Sequence, residues 1–242
     1  MTEINIRVDC KRYSDSIQPA LENIEFALRK DEIVAVVGPS GAGKSTLLNI
    51  IGELDTQFEG ELTFGTNGQE KTIGYMFQSP RLMPWLTVSD NIRLVVEDAV
   101  RVEIDALLKN VGLEGQGQLF PLQLSGGMQR RVALARAFVN SPSVLLLDEP
   151  FVSLDKPTAD RLRMQLLDMW NDERPAVLYV THDLREALSV ADRILFLSPG
   201  PGTIIMEQEI SLPRPRTIAD NGVADMYNDL TKQFPDLLSG VV

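Results

Sequence analysis

The chain is poor in several residue types that would otherwise suggest its chemistry. It has one cysteine, one histidine and 6% aromatic residues in 242. One cysteine, Cys10, excludes an internal disulfide and is typical of a reducing compartment. One histidine, His182, excludes a metal site built from several imidazoles. The longest apolar runs are far shorter than the roughly 20 residues that cross a bilayer. Because charges interrupt the stretch MTEINIRVDCKRY, where a signal peptide needs apolar residues, we expect a cytoplasmic protein.

Positive charge is also scarce. Lysine and arginine number 23 against 34 acidic residues, which gives a net charge of −11. Proteins that bind nucleic acid or anionic lipid without sequence preference need an excess of positive charge. We therefore expect no nucleic-acid partner, although a local pocket in an acidic protein can still hold a small polyanion.

The apolar pattern predicts an α/β protein with a helical insert. Short strands and helices alternate at both ends of the chain, and helical spacing dominates between them. The stretch SVLLLDEP, 143–150, has the continuous apolar run of a strand buried in a parallel sheet. We predict one domain, in which an α/β core comprises 1–86 and 141–215, a helical subdomain comprises 87–140, and 216–242 form a tail with one helix.

A glycine-rich loop lies between a predicted strand and a predicted helix. Its sequence GPSGAGKST satisfies G-x-x-x-x-G-K-[ST], which in this context indicates a phosphate-binding loop. Glycines let backbone N–H groups turn towards phosphate oxygens, and the helix start adds its positive dipole end. Lys44 would bridge the β- and γ-phosphates, and Ser45 would offer a hard oxygen to Mg²⁺. The candidate nucleotide-binding residues are Gly38, Pro39, Ser40, Gly41, Ala42, Gly43, Lys44, Ser45 and Thr46.

Two carboxylates end the predicted buried strand in the stretch VLLLDE, 144–149. Asp148 would hold Mg²⁺ through water, and Glu149 would polarise the water that attacks the phosphate. Together with the glycine-rich loop they predict a site for Mg²⁺ and a nucleoside triphosphate.

The segment LSGGMQRRVALARA, 124–137, resembles the signature of ATP-binding-cassette (ABC) ATPases. Gln78 in YMFQSP resembles the Q-loop, Asp155 in SLD the D-loop, His182 the switch histidine, and Tyr13 the aromatic residue that stacks on adenine. The resemblance covers residues 1–215 and departs from the common signature at Met128. It implies a P-loop NTPase (RecA-like) core, an antiparallel β-subdomain and an inserted α-helical subdomain.

The resemblance also implies what each residue does. ATP would be hydrolysed by Glu149 and His182, with Gln78 sensing the water and contributing with Ser45 and Asp148 to the Mg²⁺ site. Two cassettes would lie head to tail, as a homodimer or a heterodimer, each signature covering the ATP of the other. The residues that would contact nucleotide in trans are Ser125, Gly126, Gly127, Gln129 and Asp155. A strand-end tyrosine without a nucleotide role remains the alternative for Tyr13.

The spacing of the motifs narrows the kind of cassette protein. Only 81 residues separate Lys44 from Ser125, which leaves no room for the long coiled coils of chromosome-maintenance relatives. The stretch SPRLMPWLTVSDNI, with SPGPGTI and LPRPR, resembles the nitrate/sulfonate/taurine importer group. That resemblance implies a peripheral subunit at the cytoplasmic face of the membrane, bound to a separate permease and served indirectly by a solute-binding protein. Met83, Trp85 and Leu86 would contact the permease, unless they pack locally in the helical insert.

Two other functions remain open from the sequence. A lipoprotein-release or export ATPase would share every catalytic motif. A non-transport cassette that acts on a soluble complex would share them too.

Overall fold

The computed structural model describes residues 2–14, 16–65, 71–96 and 103–242. These residues form two compact units, one of Met1–Glu70 with Ala176–Val242 and one of Lys71–Pro175. Within the described ranges, no helix has the length and apolar character that a bilayer crossing requires. The boundaries predicted from sequence for the helical subdomain remain predictions.

The first unit contains a three-stranded antiparallel sheet. Its strands are β1 (Thr2–Lys11), β2 (Leu21–Arg29) and β4 (Glu59–Phe64), and β1 lies in the middle. Along β2 the side chains of Leu21, Ile24, Phe26 and Leu28 are buried while their polar neighbours face outwards. This alternation produces a sheet with one apolar face.

The same unit contains the strand that leads into the phosphate loop. Strand β3 (Ile33–Val37) pairs in parallel with β7 (Ala176–Thr181) and β8 (Arg193–Leu197), and β8 pairs antiparallel with β9 (Ile204–Glu209). Every residue of β3, β7 and β8 is buried, as continuous apolar runs require. The helices of this unit are α1 (Lys44–Ile51), α6 (Leu184–Val190) and α7 (Asn221–Gln233).

The second unit combines two parallel strands with the other helices. Strand β5 (Ile73–Met76) pairs with β6 (Val144–Asp148). A Cβ on Gly74 would lie 2.1 Å from the carbonyl oxygen of Ala137, so only glycine permits this approach of strand and helix. The helices are α2 (Val88–Arg93), α3 (Ile104–Asn110), α4 (Gly126–Phe138) and α5 (Lys156–Glu173).

Side-chain caps fix where three of these helices begin. Thr87, Ser125 and Asp155 each accept a hydrogen bond from a backbone N–H three residues ahead. The predicted alternation of strands and helices is confirmed, and the apolar stretch SVLLLDEP contains the strand β6. The part of the predicted helical segment that falls on residues 97–102 lies outside the described residues.

Candidate nucleotide-binding and hydrolysis site

The phosphate loop connects β3 to α1 in the first unit. Gly41 and Gly43 have φ angles of 83° and 82°, a left-handed conformation that glycine adopts at little cost. Helix α1 begins at Lys44, so the positive end of its dipole lies at the loop. Loop and helix together form the arrangement that binds phosphate groups in proteins.

The ammonium group of Lys44 lies against the loop itself. Lys44 is buried, and its Nζ donates to the carbonyl oxygens of Gly38 at 2.8 Å and Pro39 at 2.9 Å. These bonds hold a positive charge within the loop, where it can face a polyanion.

Tyr13 lies next to the last residue of the loop motif. Its hydroxyl oxygen is 3.2 Å from Oγ1 of Thr46, and 42% of the residue is exposed. Nζ of Lys11 lies 4.6 Å from the centroid of the Tyr13 ring, a cation–π contact. One face of the ring therefore meets a lysine, while an exposed aromatic surface remains for a flat ligand.

Lys11 is itself held by an ion pair that sequence reasoning missed. Lys11 is buried, and its Nζ donates at 2.7 Å both to the carboxylate of Asp55 and to the carbonyl of Gln57. Burial raises the pKa of Asp55, but the hydrogen bonds from Lys11 and the Gln57 N–H outweigh it, so the pKa is lowered overall. Because Lys11 and Asp55 are 44 residues apart, no local pattern indicates the pair.

His182 is exposed at the point where β7 ends and α6 begins. Its neighbours on both sides are fixed. Thr181 Oγ1 donates to the Glu186 carboxylate at 3.1 Å, and the Asp183 carboxylate accepts from the N–H groups of Arg185 and Glu186. The imidazole therefore projects from a short, hydrogen-bonded corner.

The second unit brings Gln78 and Glu149 together. Gln78 Nε2 donates to Glu149 Oε2 at 3.3 Å, although the two residues are 71 positions apart. Glu149 has a φ of 44°, which is uncommon for a residue with a side chain and is typical of functional sites. Asp148 precedes it and is 6% exposed at the end of β6. Burial, and then the negative charge of Asp148, raise the pKa of the Tyr75 hydroxyl.

Arg130 on α4 binds the backbone directly after β6, at Glu149 and Pro150. Its Nη1 donates to the carbonyl oxygens of Glu149 at 3.3 Å and Pro150 at 3.2 Å. Burial lowers the pKa of Arg130, and the charge of Glu149 opposes the shift. Sequence reasoning missed this role; the available signal was an arginine among the apolar residues of α4.

The signature and D-loop residues occupy helix starts in the same unit. Ser125 Oγ caps α4 by accepting from Met128 N–H at 3.3 Å, and Gln129 Nε2 donates to the carbonyl of Pro121 at 2.9 Å. Asp155 caps α5, and its bonds with Thr158 lower its pKa. A Cβ on Gly127 would lie 2.6 Å from Thr158 Cγ2, so a side chain there would have to displace this methyl group. Met128, where the sequence departs from the common signature, still donates its N–H to the capping Ser125.

The segment proposed to contact a permease lies on the surface of the second unit. Trp85 is 71% exposed, so it is not a core residue of the helical segment, and Met83 and Leu86 are half-buried. Arg136 donates hydrogen bonds to the carbonyl oxygens of Pro80 and Arg81. The side-chain oxygen of buried Asn91 accepts a hydrogen bond from the Met83 N–H. A cavity of about 360 Å³ is lined by residues that include Tyr75, Phe77, Arg81, Met83, Arg136 and Asn140.

The structure thus distributes the predicted residues over both units. Tyr13, the loop 38–46 and His182 belong to the first. Gln78, the signature, Asp148, Glu149 and Asp155 belong to the second. Within the second unit it pairs Gln78 with Glu149, and within the first it pairs Tyr13 with Thr46.

Comparison with known proteins identifies the family. Residues 21–152 match the model of the ABC transporter family. The chain is 41% identical to the aliphatic sulfonates import ATP-binding protein SsuB 2 of Burkholderia lata over 97% of its length and 87% of that protein. It is 46% identical to SsuB 1 of Pseudomonas aeruginosa over 85% of its length and 86% of that protein.

Solved structures agree with this assignment. The dimeric structure of MJ0796, a bacterial ABC transporter cassette, matches with a TM-score of 0.74 and 33% identity, over 87% of this chain and all of that one. A post-hydrolysis state of the same cassette with ADP and Pi matches with a TM-score of 0.73. The predicted α/β P-loop fold is therefore confirmed, and the chain belongs to the ABC transporter family as an ATP-binding and ATP-hydrolysing cassette.

Proposed function

We propose that this chain hydrolyses ATP to drive uptake of an aliphatic sulfonate, or a related small organic solute, through a separate permease. The observation that carries this proposal is its similarity, over 85% or more of its length, to relatives named as sulfonate import ATP-binding proteins. Because these relatives are named as import proteins, uptake is favoured over lipoprotein release, export or action on a soluble complex.

The first unit would bind the nucleotide. Tyr13 would stack on adenine, because an exposed ring beside the phosphate loop suits a base attached to phosphates. The backbone of residues 38–46 would surround the phosphates, and Lys44 would contact the β- and γ-phosphates.

Mg²⁺ would be held by oxygen ligands from Ser45, Gln78 and Asp148. A hydroxyl, an amide oxygen and a carboxylate are the donors that this ion prefers. Asp148 fits the role because its carboxylate lies at the end of the parallel strand β6, directly before Glu149. When bound, the ion would neutralise charge on the phosphate oxygens.

Glu149 and His182 would support the chemical step. Water would attack the γ-phosphorus while the bond to the β–γ bridging oxygen breaks, and ADP would leave with that electron pair. Glu149 would accept the proton of the attacking water, with Gln78 orienting its carboxylate through their hydrogen bond. His182 would donate a hydrogen bond to the γ-phosphate.

A second cassette would complete each site. The start of α4 can bind an anion, and here that anion would be the γ-phosphate of ATP on the second cassette. The residues at this helix start are Ser125, Gly126, Gly127 and Gln129. We infer a head-to-tail pair in which these residues and Asp155 of each copy approach the ATP of the other.

The permease would dock on the surface around Trp85. This side chain is exposed and apolar, and Met83 beside it lines the cavity of the second unit. The chain would then be peripheral at the cytoplasmic face of the membrane, and a solute-binding protein would act on it only through the permease.

Reconstitution tests this function. The chain, its cognate permease and the solute-binding protein would be placed in vesicles, and ATP turnover measured with and without an alkanesulfonate such as taurine or ethanesulfonate. We expect sulfonate to stimulate turnover and to enter the vesicles, whereas the matching carboxylates do neither. Stimulation by lipoprotein or by an unrelated solute, with none by sulfonates, would contradict the proposal.

A further inference from the structure

The segment LPRPR and the helix that follows it both contact α6. Arg216 is buried, and its guanidinium donates to the carbonyl oxygens of Leu188 at 2.7 Å, Leu212 at 2.6 Å and Ala191. The carbonyls of Leu188 and Ala191 lie at the end of α6, where a helix leaves its last carbonyls without intrahelical partners. Arg216 therefore closes the C-terminal end of α6 and complements its dipole.

Three further contacts strengthen this attachment. Arg214 Nη2 donates to the carbonyl of Val190 at 2.5 Å and pairs with Asp192 at 2.9 Å. At the opposite end of α6, the guanidinium of Arg185 lies 4.0 Å from the ring centroid of Tyr227 on α7. The segment 212–227 thus holds α6 at both of its ends.

The position of α6 determines the position of the corner that carries His182. The Glu186 carboxylate of α6 accepts from Tyr179 at 3.2 Å and from Thr181 at 3.1 Å, and both donors lie on β7 just before the histidine. Asp183, directly after the histidine, caps the same helix. A tilt or slide of this seven-residue helix would therefore displace the imidazole.

We propose that residues 212–227 form a brace that holds His182 in its position for ATP hydrolysis, with Arg216 and Tyr227 as positioning residues. The proposal rests on the role given above to His182. Neither residue belongs to the predicted nucleotide-binding or catalytic set, and both would act through α6. An error of about 1 Å in the position of a reacting group costs on the order of a hundredfold in rate, so a short helix held at both ends serves the reaction.

The brace keeps its charge at neutral pH. Burial, followed by the repulsion of Arg214, lowers the pKa of Arg216 to about 10. The guanidinium is still protonated near pH 7, so changes of pH near neutrality should not alter its contact with α6.

The test uses the full chain without a histidine tag, so that His182 gives the only imidazole signal in a proton NMR spectrum. Tyr227→Ala removes the ring that Arg185 contacts, and Tyr227→Phe, which keeps the ring, is the matched control. Arg216→Lys keeps the charge but cannot reach three carbonyls. Thermal unfolding establishes that each variant is folded.

We expect Tyr227→Ala and Arg216→Lys to lower kcat about tenfold with KM for ATP within about threefold of the wild type. The imidazole signal of the nucleotide-free variants should broaden or shift, while Tyr227→Phe matches the wild type in both measurements. A merely structural brace would lower the unfolding temperature without moving either the signal or kcat, and that result would overturn the proposal.

His182→Ala separates this proposal from the one on which it rests. If His182→Ala keeps normal turnover, the catalytic role of His182 fails, and the imidazole signal of Tyr227→Ala still reports on the brace. If His182→Ala loses turnover while Tyr227→Ala and Arg216→Lys keep both turnover and signal, the brace alone fails.

Discussion

Lys11 and Tyr13 illustrate how single residues prepare the site before any ligand is bound. A buried ammonium held by Asp55 and a backbone carbonyl lies against one face of the exposed ring. The lysine occupies that face, so a base that stacks on Tyr13 would use the other. The hydroxyl near Thr46 sets the angle of the ring towards the phosphate loop. A motif search finds the tyrosine but not the lysine beneath it.

Replacing Tyr13 tests its contact with adenine. Stacking of a base on an aromatic side chain contributes about 1–3 kcal/mol, so Tyr13→Ala should raise KM for ATP about tenfold or more with little change in kcat. Tyr13→Phe keeps the ring and should stay near the wild type. Steady-state kinetics measure this effect.

Inorganic tripolyphosphate supplies the control for this prediction. It has no base, so it should compete with ATP analogues equally well in binding to the wild type and to Tyr13→Ala. A wild-type KM for ATP in Tyr13→Ala would exclude adenine stacking by this residue.

At the scale of elements, helix α2 orders residues 83–87, the segment proposed to contact the permease. Asn91 is fully buried, its Oδ1 accepts from Met83 N–H at 2.7 Å, and its Nδ2 lies 2.9 Å from the carbonyl of Thr87 and 3.1 Å from that of Leu86. One amide thus orders the loop on both sides of Trp85. The exposed tryptophan can then meet a partner without first paying the entropy of ordering its loop.

Asn91→Ala should loosen this loop. Buried backbone groups would lose their partners at a cost of about 1–3 kcal/mol, which lowers the unfolding temperature by several degrees. Calorimetry measures this shift. Permease-stimulated turnover should fall, and turnover of the chain alone should change little.

Arg93→Ala on the same helix is the matched control. Its side chain is 61% exposed, and its ion pair with Asp90 is also at the surface, so its removal should cost little. Equal effects of the two substitutions would contradict the role given to Asn91.

The same elements explain what could and could not be predicted from the sequence. The loop 38–46 and Asp148 could be predicted from contiguous residues, because each lies at the end of a strand with a recognisable apolar run. Helical apolar spacing likewise indicates α5, and a continuous apolar run indicates β6. In contrast, Arg130 holds a carbonyl 19 positions away, and Arg136 holds one 56 positions away. Such contacts depend on packing between elements, which no local pattern records.

At the scale of the whole molecule, the charge of −11 opposes pairing of two copies. The proposed head-to-tail pair must overcome this repulsion through bound ATP, because each γ-phosphate would be shared between a phosphate loop and a signature helix. Hydrolysis removes that shared group and should release the pair. Dimerisation should therefore depend on intact ATP, and it should strengthen with moderate salt, which screens the net charges.

Glu149→Gln should trap this pair. The amide cannot accept a proton from water, so ATP would bind and persist, and light scattering should show a dimer with ATP and Mg²⁺ but a monomer with ADP. Adding Lys44→Ala, which removes the charge that contacts the phosphates, should abolish the dimer, which shows that nucleotide rather than the glutamine joins the copies. If Glu149→Gln stays monomeric at saturating ATP and Mg²⁺, both alone and with its permease, then Ser125 and Gly127 do not act in trans, and the start of α4 must serve another purpose.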